Sequence, residues 1–416
     1  MNIPGLVEHF FRHEYGRIVA ILARRNGYQH LGDIEDAVQS ALMAALQAWN
    51  SSGPPDNPAA WLYRAAENNL RGEWRRRSRQ QRILDAHPAD EIPGREPAAV
   101  VSESETHDAL LHMLFACCDD AISADSQLVL ALRTLCGFDP KEIALRMFCT
   151  EASVYKRLER ARRQLQQLSF RPKDLDAGQE ASRLPTVQRI LYTLFTEGYL
   201  SCREDAAIRG ELCDDAIRLS ELLAASRAGA TPETFALMAL MHFHRARLAA
   251  RQDGAGGLLL LEEQHRDLLD PADVQAGYVW LARSAQGERF SRYHAEAIIA
   301  AEHCRAATPG EICWEKIADC YARLEQIAPS ALHRLNRAVA VAECRGAAQG
   351  LAVLEGAEPP GWLAGSYLWA AVLADLHRRA GNTERAHHYR TAALHLAPSE
   401  KIRELLEKRL SRPTGG

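Results

Sequence analysis

The side chains best suited to chemistry in this sequence of 416 residues are arginines interleaved with aromatic rings. Residues 64–82 carry seven arginines against two acidic side chains, a local charge of +5. A guanidinium binds phosphate oxygens through paired N–H donors, and an aromatic ring offers a face for an unstacked base. Segment 57–82 therefore predicts binding to single-stranded or melted DNA through Trp61, Tyr63, Arg64, Asn68, Arg71, Trp74, Arg75 and Arg76.

A second basic segment, residues 137–168, has the pattern of a helix-turn-helix. Thr150 is the expected N-cap of its second helix, in which apolar residues recur at helical spacing: Val154, Leu158, Ala161 and Leu165. The opposite face is basic, which predicts entry into a major groove, with base edges read near the helix start and phosphates held farther along. The predicted DNA contacts are Thr150, Ser153, Tyr155, Lys156, Arg157, Arg160 and Arg163, and Arg162 is expected to face outward with them.

The net charge of −4 conceals these segments because acids and bases are separated along the chain. Residues 83–108 carry a charge of −6 and three prolines, which predicts a solvated, extended linker. Residues 141–173 carry +6. Two basic segments joined by an acidic linker favour a nucleic-acid-binding protein, whereas the average charge alone argues against one.

The elements that position these side chains are predicted to be helices throughout. Residues 34–49 place Ile34, Ala37, Val38, Ala41, Leu42, Ala45 and Leu46 on one stripe. Asp33 is the expected N-cap of that helix, and Pro58 is expected in the first turn of the next one. Gly346 and Gly381 lie 35 residues apart, near the period of tetratricopeptide helix pairs, although an irregular α-domain with accidental spacing would also fit.

Several function classes find no support in the sequence. It lacks the glycine-rich nucleotide motifs, the zinc-protease motif and the nucleophile-elbow motif, so we expect neither an enzyme nor a metal or other cofactor. The ten cysteines are scattered, which is typical of reduced thiols in a cytoplasmic protein. No apolar run is long enough to span a membrane, and the first residues do not read as a signal peptide.

Three blocks together resemble the extracytoplasmic-function (ECF) group of sigma-70 RNA polymerase sigma factors: residues 33–49, 57–77 and 137–168. The resemblance implies region 2 at 1–82, an acidic linker at 83–107 and region 4 at 108–172. It implies that Asp33, Asp36 and Gln39 dock on core RNA polymerase. It further implies that Trp61 and Asn68 border the pocket for a flipped base of the −10 element. Finally, it implies that Ser153, Tyr155, Lys156, Arg157 and Arg160 read the −35 duplex.

The remaining residues, 180–412, resemble the C-terminal, tetratricopeptide-like extension of one ECF subgroup. The resemblance rests on blocks at 113–118, 191–199, 211–219, 236–251, 253–267 and 335–343. It implies a regulatory domain with a possible protein partner. Helical arrays form concave binding surfaces, and the residues expected to take part are Glu197, Gly198, Tyr199, Asp253, Gly254, Glu263, Gln264, Arg266, Asn336 and Arg337. Ordinary solvated charges on a surface loop would give a similar pattern.

Two other interpretations remain. A one-component activator would combine a helix-turn-helix with a tetratricopeptide-like ligand or protein-binding domain, but it would not need the aromatic and arginine segment at 61–77. A pure interaction scaffold would leave both basic segments unexplained. The sequence therefore favours a sigma factor that binds core polymerase, the −35 duplex and the melted −10 strand.

Overall fold

The computed structural model describes residues 3–85, 101–167, 176–201, 207–253, 257–287, 289–398 and 400–411. Within these ranges the regular elements are helices, apart from one isolated antiparallel bridge between Gln252 and Leu258. The prediction of an all-α fold is confirmed. No helix among the described residues is long and apolar enough to cross a bilayer.

The chain divides into two compact units, residues 1–194 and 195–416, with the boundary inside helix α8. Unit 1 contains α1 (Ile3–Asn26), α2 (Leu31–Ser52), α3 (Pro58–Asp85), α4 (Glu103–Cys117), α5 (Ala124–Thr134), α6 (Pro140–Arg146), α7 (Glu151–Gln167) and most of α8 (Ala177–Tyr199). Unit 2 continues with α9 (Gly210–Ala225), α10 (Pro232–Ala246), α11 (Pro271–Ser284), α12 (Arg292–Arg305), α13 (Trp314–Ile327), α14 (Ala331–Arg345), α15 (Ala347–Val353), α16 (Gly361–Ala364), α17 (Tyr367–Arg379), α18 (Thr383–His395) and α19 (Glu400–Leu410).

Helices α1–α3 form the region-2 module, named after the region it resembles. The predicted stripe on α2 is largely buried, since Ile34, Val38 and Ala41 are inaccessible to solvent, but Leu46 is exposed. The prediction that Asp33 is the N-cap is wrong: α2 begins at Leu31 after His30, which places Asp33 in the first turn. A carboxylate there still interacts favourably with the helix dipole.

The start of α3 follows the sequence prediction. Pro58 is the first residue of the helix, where its missing N–H costs no hydrogen bond. The Asn57 side chain accepts a hydrogen bond from the Ala60 amide at 2.9 Å, which caps the helix. Because α3 runs on to Asp85, the arginines of segment 64–82 all lie on one continuous helix.

Helices α4–α7 form the region-4 module. Its helices have well-formed N-termini: Ser102 caps α4, and Asp139 with Glu142 forms a capping box on α6. Since α4 begins at Glu103, the end of the predicted linker 83–107 is helical, and residues 86–100 of that linker lie outside the described residues.

Unit 2 consists of helix pairs with buried apolar faces. The helices of the pairs α14/α15 and α17/α18 are separated by Gly346 and Gly381, whose φ angles are +88° and +78°. Left-handed backbone favours glycine over any residue with a Cβ, so these two glycines mark the turns that the 35-residue spacing predicted. Ala374 and Ala393 pack inside the α17/α18 pair, where small residues allow close approach.

Candidate nucleic-acid interface

Helix α7 has one buried face and one exposed face, as predicted. Val154, Leu158, Ala161 and Leu165 are all buried. The hydroxyl of Thr150 accepts a hydrogen bond from the Ser153 amide at 3.2 Å, which caps the helix as expected. The turn before it is tight, because Phe148 adopts a positive φ of 50°. The turn and the buried stripe fix which face of α7 points to solvent.

The exposed face of α7 carries most of the predicted DNA contacts. Tyr155 is 58% exposed, and Lys156, Arg160 and Arg163 are exposed as well. Two arginines of this face have acidic neighbours: Arg163 pairs with Glu159 at 2.7 Å, and the partly buried Arg157 pairs with Asp125 at 3.1 Å. Arg157 is therefore held in place by an acid of α5, whereas Lys156 and Arg160 are free to meet a phosphate or a base edge.

A row of cations and amides is also exposed on α3. Arg64, Asn68, Arg75 and Arg76 face solvent. Arg71 is partly buried and pairs with Glu67 one turn away at 2.9 Å, and Arg76 pairs with Glu73. Ion pairs between residues one turn apart on a helix contribute about 0.2–0.5 kcal/mol, so a phosphate can compete for either arginine at little cost.

The three aromatic residues of α3 have different environments. Trp61 lies edge-on to Trp49, with ring centroids 5.6 Å apart. Trp74 packs on His30 at 4.9 Å and donates its indole N–H to Asp33 at 3.2 Å. Tyr63 is only 7% exposed, and its hydroxyl accepts a hydrogen bond from Arg25 at 2.7 Å.

Burial raises the pKa of Tyr63. The sequence prediction placed Tyr63 among the DNA contacts, but in this structure its ring faces the module interior and is not available to a base.

A cleft of about 560 Å³ lies between α2 and α3. It brings together two sets of residues that the sequence assigned to different partners, since its lining includes Asp33, Asp36 and Asn68. Arg77 closes one side through an ion pair with Asp33 at 2.7 Å, and this hydrogen bond raises the pKa of the guanidinium. Asp33 is thereby engaged within the chain by Arg77 and Trp74.

The face of α2 that lies opposite its buried stripe is exposed to solvent. Asp36, Gln39, Met43 and Leu46 recur at three- and four-residue spacing, and all four are exposed. Met43 is 58% exposed. The sequence prediction included Asp36 and Gln39 but not the two exposed apolar residues. Met43 lies outside the predicted buried stripe, and its position there indicates a second apolar surface.

The two modules contact one another through a carboxylate that the sequence prediction missed. Glu35 is 1% exposed; it accepts a hydrogen bond from the Thr134 hydroxyl at 2.8 Å and forms an ion pair with Arg162 of α7. Arg162, expected to face solvent with its neighbours, thus turns toward α2. The sequence carried one sign of this buried role: Glu35 follows Ile34, at the edge of the apolar stripe.

Further ion pairs join α1 to the region-4 module. Arg12 pairs with Glu142 of α6 at 3.2 Å and lies over the ring of Phe138. Arg25 pairs with Glu105 of α4 at 2.7 Å. The two residues of each pair are far apart in the sequence, and neither acid is a predicted DNA contact. The ion pairs hold the two modules in a closed arrangement within unit 1.

The residues predicted to regulate lie in four separate stretches of unit 2. Gly198 packs so closely that a Cβ would approach the Cys213 amide nitrogen to 2.7 Å, and its neighbours Glu197 and Tyr199 end α8. The Asp253 carboxylate accepts a hydrogen bond from the Gly257 amide at 2.8 Å, and Gly254 lies outside the described residues. Glu263 pairs with Lys408, Gln264 accepts a hydrogen bond from Arg247, and Arg266 lies beside His303. On α14, Arg337 pairs with Glu325 and Asn336 lies beside Tyr321.

Comparison with known proteins agrees with this geometry. Residues 10–80 match Sigma-70 region 2, and residues 115–165 match Sigma-70, region 4. Residues 183–285 match a family of unknown function, DUF6596. No solved structure matches significantly.

Two curated proteins are similar to the chain. An uncharacterized protein of Rhizobium meliloti (strain 1021) is 34% identical over 330 residues, which cover 79% of this chain and 78% of that protein. The ECF RNA polymerase sigma factor EcfG of Rhodopseudomonas palustris (strain TIE-1) is 27% identical over 136 residues, 33% of this chain and 71% of that protein.

Such factors bind core RNA polymerase and promoter DNA and are not enzymes. With both sigma regions in order and an extension behind them, the chain belongs to the ECF group of sigma-70 RNA polymerase sigma factors and carries a C-terminal extension.

Proposed function

We propose that this sigma factor reads the −35 duplex with α7, captures the melted −10 strand with α3, and is regulated by unit 2. The observation that carries the proposal is the two-faced α7, with a fully buried apolar stripe and an exposed face that presents Tyr155, Lys156 and Arg160. A capped helix of this kind places its first turns in the major groove. Lysine and arginine there bind guanine edges or phosphates.

The proposed −10 contacts lie on the exposed row of α3 and at its two accessible tryptophans. Arg64, Arg75 and Arg76 would follow the backbone phosphates, and Asn68 at the cleft would hydrogen-bond a base edge. A base extruded from the duplex must recover the stacking energy that it loses, about 1–3 kcal/mol on an aromatic face. Trp61 and Trp74 are the partly exposed rings of α3 that can supply this, whereas the buried Tyr63 supports the module from inside.

The proposed docking face for core polymerase is the exposed stripe of α2. Asp36 and Gln39 were expected there, and Met43 and Leu46 add apolar area that the module itself leaves uncovered. Protein interfaces combine an apolar centre with a polar rim, and methionine is enriched in them. Met43→Asp should weaken binding to core polymerase at least tenfold in a pull-down or titration. Val279→Asp on exposed α11 is the matched control and should bind normally.

Promoter binding on both elements requires unit 1 to open. The two elements are about 25 base pairs apart, or about 85 Å at about 3.4 Å per step. Unit 1, Met1–Leu194, is compact, and a compact body of that length has a radius of gyration of about 16 Å. Modules held together by Glu35 and Arg162 in such a body cannot cover that span. The closed arrangement is therefore proposed to be the free form, and its ion pairs must break when the factor joins polymerase and promoter.

Run-off transcription with purified core polymerase tests the sigma-factor function. We expect a promoter-specific transcript from the DNA upstream of the factor's own gene with the protein present, and none without it. Binding of duplex DNA without any effect on core polymerase would instead support a one-component activator.

Regulation by unit 2 needs a separate experiment. A chain ended after Leu194 keeps the whole of unit 1, including Arg183, which donates to the Phe115 carbonyl at 3.2 Å and pairs with Asp119. We expect its transcription output to differ from that of the full chain at equal occupancy of core polymerase. Identical output would contradict a regulatory role for unit 2 and leave the sigma function untouched.

A further inference from the structure

Three arginines and two histidines come together in unit 2 at the ends of three helical elements and the start of a fourth. Arg247 is the C-cap of α10, and His244 lies in its last turn. Arg251 and Arg266 belong to short 3-10 helices at Ala249–Arg251 and Arg266–Leu268, and His303 lies in the last turn of α12. We call these five residues the arginine cluster.

Direct contacts tie the cluster together. Arg251 stacks on the Tyr199 ring at 3.7 Å, and the same ring lies 4.3 Å from His244. One Nη of Arg266 donates to the His303 carbonyl. Arg247 donates to Gln264 at 2.9 Å, and Arg251 donates to the Tyr199 carbonyl at 2.7 Å. All the oxygens that these arginines meet are therefore neutral.

None of the three arginines has a carboxylate within ion-pair distance among the described residues. Two acids in the same part of the sequence have other partners. Glu263 pairs with Lys408 at 2.8 Å, and Asp273 pairs with Arg245 and His242. Other arginines of unit 2 do pair with acids, for example Arg245 with Asp214 at 2.6 Å and Arg337 with Glu325 at 2.8 Å.

The cluster also contains buried nitrogen atoms without a hydrogen-bond partner among the described residues. Nε and one Nη of Arg266, Nδ1 of His303 and Nδ1 of His244 are inaccessible to solvent and have no hydrogen-bond partner among the described residues. A buried polar group left without a partner destabilises the fold, because it loses its hydrogen bonds to water. Nε and Nη on one edge of a guanidinium form two parallel N–H donors, the geometry that binds two oxygens of one carboxylate or phosphate.

Burial and mutual repulsion act on the whole group. Burial lowers the pKa of Arg251 and of Arg266, and the charge of Arg247 lowers both further. Burial, with Arg247 and Arg266, lowers the pKa of His303 to about 3. The pKa of His244 is likewise lowered by burial, so at neutral pH both histidines are uncharged. The three arginines then face one another with no counterion among the described residues.

A purely structural role accounts for only part of this arrangement. Arg247 and Arg266 lie near the C-terminal ends of α10 and α12, where the helix dipole stabilises a cation. That gain satisfies the charge in part, but it supplies no acceptor for Nε and Nη of Arg266. Repulsion among three cations and an unused bidentate donor edge both remain.

We propose that the arginine cluster is a binding site for a phosphate group. A dianion matches three cations better than a carboxylate does, and its several oxygens can accept from the Arg266 edge, from Arg247 and from a neutral imidazole at once. A bound phosphate would connect the ends of α8, α10 and α12 through one ligand. It would stabilise unit 2 by RT ln(1 + [L]/Kd), since the unfolded chain has no such site.

The site is independent of the proposed promoter contacts, so its test needs neither polymerase nor DNA. Thermal unfolding and isothermal titration of the full chain are measured with inorganic phosphate and, separately, with glycerol 3-phosphate. Sodium acetate and sodium chloride at the same ionic strength are the controls. We expect saturable binding of one phosphate group per chain and a rise in unfolding temperature that neither control reproduces. Tighter binding of the monoester would identify an organic phosphate as the ligand, and tighter binding of the inorganic ion would identify free phosphate.

Two variants separate a ligand site from a structural cluster. Arg247→Met keeps the aliphatic stem and removes one charge, and Arg266→Lys keeps the charge and removes the bidentate edge. Each should lower phosphate affinity at least tenfold. In the absence of phosphate, Arg247→Met should unfold at the same or a higher temperature than the natural chain, because repulsion is relieved.

Arg345→Met is the matched control: its arginine lies in unit 2 and pairs with the exposed Glu315, so phosphate binding should be unchanged. No saturable response to either phosphate, or an equal response to chloride, would overturn the proposal. A marked loss of stability in both cluster variants without phosphate, together with unchanged phosphate affinity in either one, would show that the cluster is structural.

Discussion

The arginines of α7 and those of the arginine cluster in unit 2 have opposite environments. On α7, Arg160 and Arg163 are exposed, and the acid that faces Arg163 lies one turn away on the same helix. In unit 2, Arg247 is buried and Arg266 half-buried, and no acid in the described part of the chain forms an ion pair with either of them. Exposed cations are solvated and cost the fold little, whereas buried ones need a partner. The first set suits transient contact with DNA, and the second suits a single ligand.

The comparison also shows what the net charge of a sequence segment can reveal about the folded protein. The segment 141–173 stands out because nine basic residues face three acidic ones. Segment 236–266 has four basic and three acidic residues and looks neutral. Two of these acids are nevertheless engaged elsewhere: Asp253 binds the Gly257 amide and Glu263 binds Lys408. Net charge along the sequence therefore reveals a basic surface but not an unpaired cluster.

The largest expected effect tests the one α7 arginine that has a buried partner. Arg162→Met leaves the Glu35 carboxylate buried with Thr134 as its remaining donor. Breaking a buried pair costs about 3–5 kcal/mol, and because Arg162 is 33% exposed we expect about 2–3 kcal/mol. Chemical denaturation of the full chain measures this loss.

The double variant Glu35→Gln with Arg162→Met should recover most of the loss, because no buried charge remains. Arg163→Met, whose arginine pairs with an exposed acid, is the control and should unfold almost as the natural chain does. Similar losses in Arg162→Met and Arg163→Met would mean that the comparison between buried and exposed arginines on α7 fails.

The next effect concerns a freely exposed arginine. Arg160→Ala should weaken −35-dependent promoter binding by about 1–3 kcal/mol if Arg160 binds a base edge. Stability should change by less than about 0.5 kcal/mol, as is usual for surface sites. If Arg160 binds a phosphate instead, the loss should be equal across promoter sequences, and the slope of log K against log salt should fall by about 0.9.

Holoenzyme binding to a −35-containing promoter, measured at several salt concentrations, distinguishes these outcomes. Arg345→Ala removes one exposed charge from unit 2 and should leave promoter affinity unchanged. Loss of core polymerase binding in Arg160→Ala would contradict the assignment of α7 to DNA.

Local patterns predicted local structure well. The 3.6-residue period predicted the buried stripe of α7, and Thr150 predicted where the helix begins. Both features depend on residues only a few positions apart. Glu35 and Arg162 are 127 residues apart, and no periodicity relates them. Tyr63 illustrates the same limit: its type suits base stacking, but its register on α3 points it at Arg25 of α1. Which residues meet across helices depends on packing that the sequence pattern does not contain.

A moderate effect is expected in the pH dependence of unit 2. His303 faces Arg247 and Arg266, with His244 nearby and Glu302 beside it in sequence, and burial with these arginines holds its pKa at about 3. The unfolded chain binds a proton near pH 6.5, so it binds more protons than the folded chain below that pH.

Folding stability should therefore be unaffected by His303 above about pH 6.5 and should fall by about 1.4 kcal/mol per pH unit as the pH drops from about 6 toward 4. Denaturation of His303→Asn over the same range should show a shallower decline than the natural chain. Equal slopes would show that His303 is protonated in the folded state, and the contrast with the solvated α7 face would weaken.

The smallest effect is expected at the surface pair on α7. Glu159 precedes Arg163 by one turn, the favourable orientation for an ion pair on a helix, and such pairs contribute about 0.3–0.5 kcal/mol. Glu159→Gln should therefore lower stability by no more than that amount. It should at the same time strengthen promoter binding, because a negative charge leaves the DNA-facing side and Arg163 no longer has a competing acceptor. Stability from denaturation and affinity from holoenzyme titration should move in opposite directions. Weaker promoter binding in Glu159→Gln would mean that Glu159 positions Arg163 for DNA. Exposure alone would then not explain how the α7 arginines bind DNA.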